Sequence, residues 1–159
     1  MISPLNGNGN YMKTLCIIPC GSAKIWDKNP QTGATAARDV YIGGFSKKCK
    51  EYAEKFYPSS WCILSAKYGF LLPDEIIPEQ YNVSFNDKST NPITLKELAA
   101  QAVNKGLITC DNVVVLGGKN YVRFAKKVFS AKEIIAPLSD CRGIGYMMGR
   151  LNKLIKSAI

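Results

Sequence analysis

Four short apolar runs, each bounded by turn-forming or polar residues, set the rhythm of the chain. They lie at residues 14–19, 61–65, 113–116 and 133–136. None alternates with polar residues, so each predicts a strand buried on both faces. Between them the period changes to that of a helix. Residues 43–57 carry Phe45, Cys49, Tyr52, Ala53 and Phe56 at helical spacing, and Tyr57-Pro58 closes the run. Thr94 with Glu97 three residues on is a capping box, which predicts a helix to about residue 105. Residues 120–129 and 144–157 predict two more helices. Residues 20–39 read as a long loop. Residues 66–92, broken by Pro73, Pro78 and Pro92, have no period and are too long for an idle connection, so they predict a functional loop wrapped on the core.

Strands and helices therefore alternate. Fully apolar strands joined through helices predict a three-layer α/β/α sandwich around a central four-stranded, mainly parallel sheet. Residues 1–12, polar and rich in Gly and Asn, are expected to be a flexible N-terminal tail, and residues 13–159 a single α/β domain. In such folds ligands sit beyond the carboxyl ends of the strands. Four loops are expected to meet there: residues 20–24, 65–81, 117–121 and 137–145. Gly145 and Gly149, four apart on one helix face, are expected to let that helix pack closely on the sheet.

Composition narrows the chemistry. A chain of 159 residues, 47% hydrophobic and 21% charged, can bury about 70% of its unfolded surface and needs no covalent staples. It has no histidine, which excludes His-based triads and bases. The six cysteines show no Cys-x-x-Cys pair and read as free thiols, so neither a metal nor a cofactor is expected. Residues 1–11 carry no apolar run and no basic region. Neither a signal peptide nor a membrane anchor is expected, and the protein is expected in the cytoplasm.

The net charge of +9 is unevenly spread. Residues 117–159 hold nine Lys and Arg against Glu133 and Asp140, whereas the other 116 residues carry a net of only +2. A face built from Lys119, Arg123, Lys126, Lys127, Arg142, Arg150 and Lys153 suits a polyanion, because each cation set against a phosphate releases counterions. The same segment could also be a solvated face of two surface helices. Tyr121, Phe124, Phe129 and Tyr146 could stack on bases or fill the core.

The strand-end loops hold the reactive side chains. Pro19-Cys20-Gly21-Ser22-Ala23-Lys24 brings a thiol, a hydroxyl and an ammonium to the exit of the first strand, without the Gly-Lys-Ser/Thr ending of a nucleotide-triphosphate loop. Cys20 beside Lys24 could be an activated thiolate or a structural cysteine. The densest segment runs through Ser65, Lys67, Tyr68, Pro73-Asp74 and Glu79 to Tyr81. A carboxylate stiffened by proline can serve as a general base or stabilise an oxocarbenium-like sugar, which nominates Asp74 or Glu79; Asp74 can equally be a turn former. Gly117-Gly118 and Gly143 mark places where backbone can approach a ligand.

Several of these pieces together resemble a family of small bacterial and phage proteins catalogued as a domain of unknown function. That family is distantly similar to the YaaA peroxide-stress proteins and to a domain of archaeosine synthase. The matching residues are Pro19-Cys20-Gly21-Ser22-Ala23-Lys24, Tyr41 with Phe45, Leu64-Ser65-Ala66-Lys67-Tyr68-Gly69-Phe70-Leu71, Pro73-Asp74, Tyr81, Gly117 with Tyr121, and Gly143-Ile144-Gly145. The YaaA resemblance implies an association with DNA, although Asn82 stands where those proteins carry an arginine. The archaeosine-synthase resemblance implies a fold like that of uracil-DNA glycosylases.

The expected function is a nucleic-acid-associated domain with a nucleobase or nucleoside pocket, acting on an N-glycosidic bond by cleavage or base exchange. Asp74, Lys24 and Lys67 are the expected catalytic set. Cys20, Gly21, Ser22, Tyr41, Ser65, Tyr68, Tyr81, Gly117, Gly118, Tyr121 and Gly143 are the expected substrate-binding set. The partner is expected to be nucleic acid, DNA ahead of RNA, or a nucleoside, and not a membrane. Two alternatives stay open: a non-catalytic DNA or RNA binder, and a soluble enzyme like the nucleoside deoxyribosyltransferases.

Overall fold

The run Thr14–Pro19 forms β1, the middle strand of the main sheet in a computed structural model that describes residues 5–157. Two single-turn helices, α1 (Ile25–Lys28) and α2 (Ala37–Val40), follow on either side of a two-residue strand, β2 (Thr35–Ala36). Then come α3 (Gly44–Phe56), β3 (Trp61–Ser65), β4 (Gly69–Leu71) and β5 (Ile76–Ile77). The second half contains α4 (Leu95–Asn104), β6 (Asn112–Val115), α5 (Lys119–Val128), β7 (Glu133–Ile135) and α6 (Ile144–Ser157).

The main sheet has the order β4-β3-β1-β6-β7. Strands β3, β1, β6 and β7 are parallel and are the four that the apolar runs predict. Side chains of β1 alternate between two cores. Cys16 and Ile18 pack with Cys49 and Ala53 of α3 and with Leu151 and Ile155 of α6. Leu15 and Ile17 pack with Leu98 and Ala102 of α4 and with Phe124 and Ala125 of α5. Two buried faces explain why the strands carry no polar alternation. The result is the three-layer sandwich expected.

A fifth strand, β4, adds to the expected four, pairing antiparallel with β3 inside the segment read as loop. The hairpin turns on Gly69, whose φ of +75° suits glycine and whose Cβ, if present, would clash with Gln101 Oε1. As an edge strand β4 would leave backbone groups unpaired, and α4 closes them. The Phe70 amide donates to Gln101 Oε1 at 2.8 Å, and Gln101 Nε2 donates to the Tyr68 carbonyl at 2.9 Å. Lys105 Nζ donates to the Phe70 carbonyl and forms an ion pair with Glu75 at 2.8 Å. Gln101→Leu strands both backbone groups and is expected to cost about 2 kcal/mol. Urea denaturation should show a lower midpoint with an unchanged slope.

Three expectations change. From Leu5 onward the supposed flexible tail is a docked turn: Leu5 bridges Tyr11, and the Asn6 amide and Lys13 backbone donate to the Asp111 carboxylate. The tail's first four residues lie outside the described residues. The loop of residues 20–39 contains α1, β2 and α2 because β2 finds a distant partner in β5. Gly145 and Gly149 do not pack on the sheet; both are exposed, with nothing within 4 Å of where a Cβ would stand. The helix turns Leu151 and Ile155 inward instead.

All six cysteines are free. Among the described residues no helix is long and apolar enough to cross a membrane.

Candidate functional site

Beyond the carboxyl ends of β1 and β3 lies a cavity of about 440 Å³. Its floor is Cys20, Gly21, Ser22 and Lys24, immediately after β1. Ala66 and Tyr81 line one side, and Asn120 and Tyr121, from the first turn of α5, line the other. Residues 82–87 and Thr90 complete the wall.

Lys24 dominates the electrostatics. It is 3% exposed, and its Nζ donates one hydrogen bond, to the Ser22 carbonyl at 3.2 Å. Nζ also lies 4.4 Å from the centre of the Tyr81 ring, a cation–π contact. Its position is set by α1, where the Lys24 amide donates to Asp27 Oδ2 at 2.8 Å. Burial lowers its pKa from the ordinary 10.5, and the nearby Cys20 and Asp27 oppose that shift. An ammonium has three donors. Among the described residues only one of the three is used.

Behind the cavity lies a chain of hydroxyls. Ser65 Oγ accepts from the amides of Lys67 at 3.2 Å and Tyr68 at 3.1 Å. Both its lone pairs are then occupied, so its proton goes to Tyr81 Oη, 2.9 Å away. Tyr81 Oη also shares a hydrogen bond with Tyr41 Oη, a contact that keeps the two buried phenols together. Burial pushes the Tyr81 phenol up to about 12 against the lowering effect of its hydrogen bonds, and it raises Tyr41 further. On the opposite wall Cys20 Sγ is 3.4 Å from Tyr121 Oη, and burial together with Cys20 raises that phenol as well.

Most of the expected residues meet here. Cys20, Gly21, Ser22, Lys24, Tyr81 and Tyr121 line the cavity, while Tyr41, Ser65 and Tyr68 support Tyr81 from behind. Lys67 is exposed, with Nζ over the Tyr68 and Tyr81 rings at 5.3 and 5.7 Å. Gly117 has a φ of +114°, and a Cβ there would press on Tyr121 and Pro19 at 3.1 and 3.2 Å. It lets β6 pass directly into α5.

Asp74 is the principal correction. The β3–β4 hairpin carries the chain back toward the amino ends of the parallel strands, so Asp74 lies with Lys13, Pro58 and Trp61 at the opposite end of the sheet. Its side chain is 87% exposed and pairs with Arg38 at 2.8 Å. Glu79 lies in another depression, with Trp26 and Pro30. Neither carboxylate lines the cavity. Gly118 and Gly143 also lie away from it, the first in a neighbouring cleft and the second ahead of α6 in an exposed turn.

Residues 82–90 went unread as part of the site. Asp87 Oδ1 accepts from the Ser89 amide and hydroxyl at 3.0 and 2.6 Å, folding a one-turn 3-10 helix, Lys88–Thr90. Asn120 Nδ2 donates to Asn86 Oδ1 at 2.9 Å, and Phe85 packs on Tyr121 and Phe124. The signal was a lone aromatic, Phe85, inside a polar, turn-rich stretch. Among the described residues Asp87 is the carboxylate that lines the cavity, and its Oδ2 accepts no hydrogen bond from any of them.

The basic residues lie beside this cavity. Lys119, Arg123, Lys126 and Lys127 border a cleft of about 520 Å³ with Gly117, Gly118 and Met147. Arg142, Arg150 and Lys153 border a third hollow of about 500 Å³. Arg150 is already engaged, donating to Asp140 and to the Pro137 carbonyl.

Among the described residues no three His, Cys, Asp or Glu side chains come together as a metal site. No solved structure matches the chain. An uncharacterised protein of Bacillus subtilis (strain 168), YfjM, is 42% identical over 146 residues, covering 91% of this chain and 97% of that protein. The profile of a family of unknown function, DUF6884, matches residues 15–153, and the chain belongs to that family.

Proposed function

We propose that the chain is a nucleic-acid-associated protein whose strand-end cavity binds one nucleotide unit, with its phosphate on Lys24 and its base against the aromatic wall of Tyr81, Phe85 and Tyr121. One observation carries this: a lysine 3% exposed that spends a single donor on Ser22 while lining an aromatic cavity. A buried cation with donors to spare suits an anion that brings its own acceptors. The neighbouring clefts, rich in Lys and Arg, support nucleic acid as the source of that nucleotide, DNA ahead of RNA. The likeness of the Pro19–Lys24 and Leu64–Leu71 stretches to the YaaA proteins and to archaeosine synthase, with its uracil-DNA-glycosylase-like fold, belongs to the same proposal.

The test is calorimetric titration with nucleosides and nucleoside 5′-monophosphates of each base, in ribo and deoxy form. The monophosphate should bind about tenfold tighter or better than its nucleoside, the worth of a hydrogen bond to a charged group. Equal or absent binding of both would remove the nucleotide assignment.

Cleavage of an N-glycosidic bond is a second reading, and Asp87 favours it. With Asp74 at the far end of the sheet, Asp87 is the carboxylate at hand to steady positive charge on a sugar. Mass analysis of oligonucleotides after incubation should then show base loss in the native protein and none in Asp87→Asn. Intact oligonucleotides throughout would leave a binding module.

A further inference from the structure

The cavity, the α5 cleft and the α6 hollow form a series, and we infer that they are consecutive subsites for one single strand of nucleic acid. The inference rests on the nucleotide reading of the first cavity. The first turn of α5 separates the first two hollows: Asn120 and Tyr121 line one, while Gly117, Gly118 and Lys119 line the other. Cys141 lines both the second and the third.

Charge and aromatic surface identify the occupant. Lys119, Arg123, Lys126, Lys127, Arg142 and Lys153 border the second and third hollows, and among the described residues none of the six forms an ion pair with a carboxylate. The one acid there, Asp140, is held by Arg150. Tyr146 in the third hollow is 72% exposed, a stacking surface that core packing does not use. Open space around Gly145 and Gly149 lets a chain lie close to α6 beside that ring. A row of cations tracking a backbone, with an aromatic face for a base, is how unpaired strands are held; paired bases leave no free face to stack. The strand thus runs from the Lys24 cavity across the α5 amino end to Tyr146.

The experiment compares a deoxynucleoside monophosphate with an oligodeoxynucleotide about five nucleotides long, and with the same sequence as a duplex, on native protein and two variants. The native protein should bind the single strand at least tenfold tighter than the monophosphate and tighter than the duplex. Tyr146→Ala should lose about tenfold on the single strand. Lys126→Ala with Lys127→Ala should lower the slope of log affinity against log salt by about 1.4, as for two phosphate contacts. Both variants should bind the monophosphate as the native protein does. Monophosphate binding without a gain from length, a gain unchanged in both variants, or a preference for duplex would overturn the track and leave the nucleotide cavity standing. Loss of binding to every probe would overturn both.

Discussion

Replacing Lys24 with methionine is expected to erase the preference for phosphorylated nucleosides and to leave the protein at least as stable as before. Lys24 is 3% exposed, and its ammonium donates one hydrogen bond among the described residues and sits on an aromatic ring. Such a charge is held at a cost to folding, and an apolar side chain of similar volume is commonly neutral or stabilising in its place. Binding should respond in the opposite sense. Losing a charged donor to a phosphate corresponds to about 10- to 100-fold in affinity for a nucleoside monophosphate, with little change for the nucleoside. Residues retained at a stability cost mark function, so the opposite signs are the diagnostic. A variant both less stable and unchanged in ligand preference would make Lys24 a structural lysine. Linkage gives a second check. With the folded pKa of Lys24 below 10.5, the unfolded chain binds more protons between the two values, so this residue's contribution to stability improves as pH rises through that window. Lys24→Met should lack that contribution.

Much of this site was legible in the sequence because it lies where parallel strands end. The runs at Thr14–Pro19 and Trp61–Ser65 are apolar throughout, which predicts parallel neighbours, and the loops that leave them bring Lys24, Ser65 and Tyr81 together. The helices were legible for the same local reasons. The Thr94 cap on α4 forms as expected, with the Glu97 amide donating to Thr94 Oγ1 at 3.2 Å. What escaped the sequence depends on contacts distant along the chain. Strand β4 has three residues and no pattern of its own; it exists because Gln101 and Lys105, more than 30 positions away, satisfy its edge. Without β4 nothing in the sequence reverses the chain, so the sequence groups Asp74 with the Lys24 cavity, whereas it belongs to the other end of the sheet. Gly145 and Gly149 depart from expectation for a related reason. Spacing shows that two residues share a helix face, but not which face meets the core.

Raising the pH above 9 is expected to unfold the protein cooperatively, the largest effect on stability foreseen here. Burial raises the thiols of Cys16, Cys49 and Cys62 from 9.0, Cys49 to about 12, and raises the phenols of Tyr41, Tyr81 and Tyr121 from 10.0. The unfolded chain therefore releases these protons first, and stability is full below the unfolded values and falls as pH climbs toward the folded ones. A thiol two units above its unfolded pKa and still protonated in the fold forfeits about 2.7 kcal/mol. Three such thiols at pH about 11 forfeit about 8 kcal/mol, which rivals the whole stability of an ordinary domain. The opposing gain from Lys24 is one group against six and does not reverse the sign. Circular dichroism should therefore change in a single step between pH about 10 and 11, and the phenolate absorbance of the buried tyrosines should change with it, apart from that of the exposed Tyr11 and Tyr146. Cys16→Val and Cys62→Val, which keep each site apolar and remove the ionisable proton, should move that step upward. Phenolate beyond that of the exposed Tyr11 and Tyr146 appearing near pH 10 with the dichroism intact would mean that the hydroxyl chain from Ser65 through Tyr81 to Tyr41 opens to solvent without unfolding, and the protein would owe its alkaline limit to some other group.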